Sequence, residues 1–376
     1  MIYKEFQDLK LSALGLGAMR LPVMDGDDAR IDEKAAGGMV AYAREHGINY
    51  YDTAWTYHEG ESESFLGQAL KEYPRESYYL ATKLPCWLVD SREKAEELFH
   101  TQLERLDRDY VDFYLLHSLS RRTWTKMVEL KIPSLLEEYQ RQGKIRKLGF
   151  SFHDDYEVFE EILRFRHWDF CQIQLNYMDT EHQAGLKGLE LARGLGVPVV
   201  VMEPVKGGLL AKLPEEVAAP LRVLDPEASD ASWALRWVAS RPGAAVLLSG
   251  MTTMEQLEDN LATLGQFRPL CPEEEAGVDE TTLLLKQRVK NGCTGCRYCM
   301  PCPAGVDIPE SFRIWNSMGM YENQRLTRRS WKGLGEGARP ANCVGCGRCE
   351  ELCPQHISIR RDLVQVTAQV EEFIQK

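Results

Sequence analysis

Across residues 1–265, short apolar runs alternate with stretches whose apolar positions recur every three to four residues. The runs at 13–16, 50–53, 78–84, 111–117, 145–151, 171–176, 198–203 and 245–249 have the length of buried strands. Each leads into a helical pattern. The plainest follows the third run, where Ala95, Leu98, Phe99, Gln102, Leu103 and Leu106 share one face. Further helices are expected to begin near Asp32, Glu61, Pro133, Asp155, Glu181, Glu227 and Met254. Eight strand–helix units predict a (β/α)8 TIM barrel. A doubly wound sheet is the alternative, but Gly15-Leu-Gly17-Ala-Met-Arg20 lacks the third glycine of a dinucleotide-binding turn.

The pattern changes after residue 290. Eight of the chain's 11 cysteines fall between Cys293 and Cys353. The first run is Cys293, Cys296, Cys299 and Cys302, followed by Pro303; the second is Cys343, Cys346, Cys349 and Cys353, followed by Pro354. Three thiolates at successive two-residue spacings suit one face of a [4Fe–4S] cube, with the fourth ligand drawn from elsewhere. The second run matches the bacterial two-cluster spacing. The first has two residues rather than three before its last cysteine, which leaves its fourth ligand open. Zinc is the rival, but it more often uses two separated Cys-x2-Cys pairs. Between the runs, Ile308, Phe312, Ile314, Trp315 and Met318 suggest an apolar helix face, followed by a basic, Gly-rich link. The expected organisation is a barrel over 1–265, a linker and connecting helix over 266–290, and a small, mainly helical ferredoxin-like domain with two clusters over 291–376.

Charge narrows the function classes. The net charge is −12, which argues against a nucleic-acid partner. A local basic group at Arg325, Arg328, Arg329, Lys332 and Arg339 reads as a solvated or docking surface, or as a site for an acidic partner. No run is long and apolar enough for a membrane span, and the first residues carry no signal-peptide pattern. A cytoplasmic location is expected. Disulfides would be an odd use of the cysteines in such a chain.

Polar groups follow the apolar runs where a barrel places its chemistry. Asp52 and Tyr57 follow the second run, Lys83 ends the third and His117 ends the fourth. Asp52 and Lys83 can neutralise each other across neighbouring strands. Lys83 beside Tyr57 is expected to lower the phenol pKa, and His117 to share a hydrogen bond with a substrate oxygen. The phenol could then protonate a carbonyl as hydride reaches its carbon. Taken singly, Asp52 could cap a turn, Lys83 snorkel, His117 be structural and Tyr57 pack. Their order on successive strands favours a shared role. Trp55, Trp87 and Trp331 are candidate pocket walls.

Together, Gly15-Leu-Gly-Ala-Met19, Asp52-Thr-Ala-Trp-Thr-Tyr57, Lys83, His117, Gly149-Phe-Ser151, Gln172 to Tyr177 and Ser249-Gly-Met251 make residues 1–265 resemble the aldo-keto reductase family. The cysteine-rich tail is similar to a subgroup with a ferredoxin-like domain. The resemblance implies a tetrad of Asp52, Tyr57, Lys83 and His117, with Tyr57 as the proton donor. It also implies a nicotinamide cofactor held by Gly17, Ser151, Gln172, Asn176, Glu203, Gly207, Gly208, Ser249, Gly250, Gln256, Asp259 and Asn260. Gln172 would take the carboxamide, and Gly207 and Gly208 would admit the pyrophosphate. Where NADPH-using members resemble one another in Arg-x-x-Glu-Asn, this chain has Gln256-Leu-Glu-Asp259-Asn260. NADH and NADPH both stay open, the missing cation favouring NADH.

The leading expectation is an NAD(P)H-dependent oxidoreductase that interconverts a small carbonyl and an alcohol. Its ferredoxin-like tail would exchange electrons, with a redox protein as a possible partner, or cover the active-site mouth. The alternatives are an iron–sulfur enzyme with non-hydride chemistry in the barrel, and a binding barrel with redox-sensing clusters. The substrate, the oligomeric state and any need for a flavin are not legible.

Overall fold

The computed structural model describes residues 1–376. The chain forms two compact units: Met1–Gly207 with Ala231–Pro272, and Gly208–Asp230 with Glu273–Lys376.

The first unit opens with an antiparallel hairpin, β1 (Tyr3–Phe6) and β2 (Leu9–Ser12). Eight parallel strands follow: β3 (Leu14–Gly17), β4 (Tyr50–Asp52), β5 (Tyr79–Leu84), β6 (Val111–Leu119), β7 (Ile145–Phe152), β8 (Phe170–Gln174), β9 (Val199–Met202) and β10 (Ala244–Ser249). They close into a barrel where β10 pairs with β3, Leu247 beside Leu14 and Ser249 beside Leu16. Near-continuous apolar runs form these strands because both faces are covered, one by the barrel interior and one by helices. Each of the eight expected strands is present.

The hairpin is not among the expected strands. Phe6, Leu9 and Leu11 join Tyr50, Phe113, Phe170 and Val246 in one buried cluster. The Phe6 ring meets Phe113 edge-on at 5.4 Å. These barrel residues lie at or near the starts of their strands, so the hairpin plugs the amino-terminal end and leaves the carboxyl ends for chemistry. The pattern of Tyr3–Phe6 conceals this role, since only Phe6 in that strand is buried.

Helix starts follow capping chemistry. Asp32 accepts from the Ala35 amide ahead of Glu33–Glu45, and Ser91 from Lys94 ahead of Arg92–Leu106. Arg92–Leu106 buries the face expected of it. Elsewhere the structure adds elements. Ser120 and Thr123 form a reciprocal cap that starts Arg121–Glu129 before the expected helix, Ile132–Arg141. The helix expected near Glu181 begins at Gly185, because residues 176–179 form a tied turn.

The second unit is helical. Pro272–Gln287, Ile308–Tyr321, Gln324–Gly333 and Ile359–Gln375 are its longer helices after residue 270. Val306, Ile308, Phe312, Ile314, Trp315, Trp331, Leu363 and Val366 form its core, against which most of the cluster-run cysteines pack. The basic stretch expected to be a link is the helix Gln324–Gly333, started by the Asn323 side chain. Only Thr327 and Trp331 are buried within it, too few to betray a helical period. Trp331 therefore belongs to this core rather than to a substrate pocket wall. No helix is long and apolar enough to cross a membrane.

Candidate active site and cluster sites

β4 lies beside β5 with Asp52 opposite Ala81, which brings Asp52 near Lys83 at the carboxyl end of the barrel. Lys83 is buried. Its Nζ donates to Asp52 Oδ1 at 2.6 Å, to the Thr53 carbonyl at 2.7 Å and to the Tyr57 hydroxyl at 3.4 Å. Nζ also lies 4.9 Å from the Tyr57 ring centroid. Burial works most strongly against the Lys83 charge, but Asp52 and Tyr57 together outweigh it and hold the ammonium above its ordinary range. Burial pushes Asp52 upward, with Lys83 pulling it partly back.

The expectation of a lowered Tyr57 pKa does not hold. Burial raises it, and the nearby ammonium offsets only part of that rise. Tyr57 is consequently a phenol at neutral pH, the state that carries a proton to give. His117 is pushed well below 6.5 by burial and by the Lys83 charge. Its imidazole is neutral, and its buried Nδ1 has no partner. The ring lies 6.2 Å from that of Tyr57 and 5.1 Å from that of Trp87. The four residues expected on successive strands thus meet around one point.

Several supporting residues are not marked by any sequence motif. Glu63, fully buried, accepts from Thr82 Oγ1 at 2.6 Å and from Gln102 Nε2 at 2.5 Å. Gln102 also donates to the Lys83 carbonyl at 3.0 Å, so the network braces the strand end that carries Lys83. Arg105 completes it, 3.3 Å from Glu63 and 3.8 Å over the Trp55 ring. The signal was Gln102, a polar residue on an otherwise apolar helix face. Behind Tyr57, His58 takes a left-handed conformation and accepts from the Leu21 amide at 3.2 Å.

The residues assigned to the cofactor divide into three groups. Ser151 and Gln172 are buried on β7 and β8, directly opposite each other in register. Ser151 Oγ accepts from the Ser118 amide at 2.7 Å, and its own proton is left to donate. Gln172 Oε1 is buried without a partner. Those two atoms suit a carboxamide, which has both a donor and an acceptor.

Asn176 and Glu203 shape loops instead. Asn176 donates to Asp179 Oδ2 at 3.0 Å and to the Glu203 carbonyl at 3.2 Å. Asp179 also pairs with Lys206 at 2.5 Å. Burial opposes the Asp179 charge, yet Lys206 holds its carboxyl below the ordinary value. Gly207 and Gly208 follow, both with positive φ, which a side chain would strain.

The last group lies around β10. A Cβ on Gly17 would come within 3.4 Å of the Ser249 carbonyl, and one on Gly250 within 3.0 Å of Arg20. Asn260 donates to Ser249 Oγ at 2.9 Å, tying the helix Met254–Gly265 to the strand end. Gln256 Oε1 accepts from the Thr252 amide at 2.8 Å. Asp259 is half-buried on the same helix.

The cysteines form two cradles. Cys343, Cys346 and Cys349 line one cavity together with Cys302 and Cys299. Cys293, Cys296 and Cys299 line a second together with Cys353. Each run thus supplies three thiols to one cradle, and its last cysteine reaches the other. Cys302 and Cys353 are thereby placed where a fourth thiolate would be needed. None of the eight is in a disulfide, and an all-thiolate donor set around each cavity suits an iron–sulfur cube.

Comparison with known proteins agrees with both halves. The aldo/keto reductase family model matches residues 13–282, and the 4Fe-4S dicluster domain matches 292–358. NADH-specific methylglyoxal reductase of Escherichia coli (strain K12) is 28% identical over 305 residues, covering 68% of this chain and 91% of its own. L-galactose dehydrogenase of Arabidopsis thaliana is 28% identical over 298 residues, covering 73% and 89%. Among solved structures, the holo form of aldo-keto reductase AKR11C1 from Bacillus halodurans aligns with a TM-score of 0.63 and 28% identity, covering 75% of this chain and 96% of that one. With its barrel and its paired cysteine cradles, the chain belongs to the aldo/keto reductase family, as an oxidoreductase that carries a 4Fe-4S dicluster domain.

Proposed function

We propose that the barrel reduces a small carbonyl to an alcohol with NADH, using Tyr57 as the proton donor. The contact that carries this reading is Lys83 Nζ, held between Asp52 and the Tyr57 hydroxyl. The nicotinamide, when bound, supplies the hydride. Ser151 and Gln172 would hold its carboxamide, the Gly207–Gly208 turn would admit its diphosphate, and Asn260 would keep the β10 end in place.

Tyr57 gives its proton to the carbonyl oxygen as that oxygen becomes an alkoxide. The phenolate left behind is stabilised by the Lys83 ammonium, which Asp52 keeps charged. Neutral His117 contributes a hydrogen bond to the same oxygen and adds no competing charge. In the reverse direction the phenolate takes the alcohol proton. Trp87, partly exposed beside His117, offers an apolar wall.

NADH is preferred on two grounds. Gln256, a neutral side chain, stands where a cation would meet a 2′-phosphate. The first turn of that helix also carries Glu255, which repels a phosphate. The relative whose name specifies NADH and methylglyoxal supports the cofactor and a compact substrate with an activated carbonyl.

The test is Tyr57→Phe assayed with NADH and methylglyoxal. Turnover should fall by roughly 10²–10⁴, the usual worth of general acid catalysis, with NADH affinity unchanged by fluorescence titration. Near-normal turnover would remove Tyr57 from the mechanism.

A further inference from the structure

The helix Gln324–Gly333 contains no acidic residue. Arg325, Arg328, Arg329 and Lys332 are all exposed, and they fall at the three- and four-residue spacings that make one stripe. None has a carboxylate partner; Arg328 reaches only the Ile374 carbonyl. Arg325 with Arg329, and Arg328 with Lys332, are like charges one turn apart, an arrangement that destabilises a helix. A chain of net charge −12 has acids to spare, yet none is placed here to relieve the repulsion. Residues 291–376 carry 11 Lys and Arg against 9 Asp and Glu, so this segment is the chain's basic end.

The opposite face of the helix is fixed. Trp331 is buried in the core that also contains Cys349 and packs against Cys293, Cys299, Cys302, Cys343 and Cys353. The helix itself lines neither cradle; it packs on Ile308–Tyr321 and Ile359–Gln375, which supply Ile308, Phe312, Ile359 and Leu363 to the cradle walls.

We propose that this stripe docks a small acidic protein that carries single electrons. Complementary charge steers encounter and sets orientation. Docking here would bring the carrier's acidic face against a helix packed on the two helices that wall the cradles. A lipid surface fits less well. An interfacial helix needs an apolar face to bury, whereas Trp331 is already inside the core. A nucleic acid fits less well too, since the rest of the chain is strongly acidic. The proposal rests on the 4Fe-4S domain and not on the carbonyl-reductase reading of the barrel.

The test uses the full-length protein with its clusters, purified without oxygen, and a purified acidic ferredoxin as the probe. Binding is followed by titration and by stopped-flow association at low and at high salt. Arg325→Glu with Arg329→Glu is compared with Arg141→Glu with Arg193→Glu, which makes the same net charge change on exposed barrel residues. The stripe variant should associate roughly ten- to a hundredfold more slowly than the control at low salt, with the difference shrinking at high salt. It should keep its iron and its NADH-dependent turnover, so a failed barrel mechanism cannot imitate the result. Equal rates for the two variants would overturn the proposal. So would phosphatidylserine vesicles or a single-stranded oligonucleotide binding through the stripe as tightly as the ferredoxin, or more so.

Discussion

The barrel and the cluster unit both keep reactive groups inside protein, and they stabilise them by different means. In the barrel, an ammonium and a carboxylate are buried as a pair, so each tolerates burial because of the other. In the cluster unit, eight thiols gather around two cavities, and the domain match identifies what fills such cradles. A charge pair fails when one partner is removed. A shared ligand set fails at a place remote in sequence from the change. The two regions should therefore break differently.

The largest effect is expected in the barrel. Lys83→Met strands Asp52 in a buried setting and removes the charge that supports the phenolate. Activity should be lost, and stability should drop by about 3–5 kcal/mol, the typical cost of an orphaned buried ion. Asp52→Asn added to that variant should restore much of the stability and none of the activity. Urea midpoints that do not recover would show that the pair is not what Lys83 contributes.

The crossing of ligands gives a sharp contrast in the cluster unit. Cys346→Ala alone should lower iron from about eight to about four per chain, by the two-cube count. Adding Cys353→Ala should remove the second cluster too, because Cys353 serves the other cradle. If each run served only its own cluster, the double variant would still hold about four irons.

A smaller effect follows from His117. Its folded pKa lies below the unfolded value. As pH falls through about 6.5, the unfolded chain takes up a proton that the folded one refuses, so stability falls with pH. The slope from this residue is at most about 1.4 kcal/mol per pH unit. His117→Asn should flatten the decline between pH 6.5 and 5.5 in urea unfolding. An unchanged slope would assign the decline to other groups.

What could be read in the sequence follows the same division. The eight barrel strands were legible because burial on both faces leaves unbroken apolar runs. The grouping of Asp52, Tyr57, Lys83 and His117 was legible because each lies at or just past the end of such a run. The braces behind them were not: Glu63 and Arg105 are charged residues on helices, where exposure is the ordinary expectation, and only the folded contacts show otherwise. The net direction of the Tyr57 pKa was also hidden, since the lysine is visible in the sequence and the depth of burial is not. In the cluster unit, spacing showed what the cysteines bind, but which cradle Cys302 and Cys353 join depends on how two segments 40 residues apart meet. The helix Gln324–Gly333 was missed because two buried positions do not make a period.

In the proposed reaction, hydride passes directly from nicotinamide to the carbonyl carbon in the barrel, with no electrons routed through the clusters. Turnover of methylglyoxal with NADH deuterated at the transferable position tests it most directly, with the product examined by mass spectrometry. One deuterium on the former carbonyl carbon of every product molecule is the predicted result. A reduced product without deuterium would mean that electrons reach the substrate by another path, and would contradict the account.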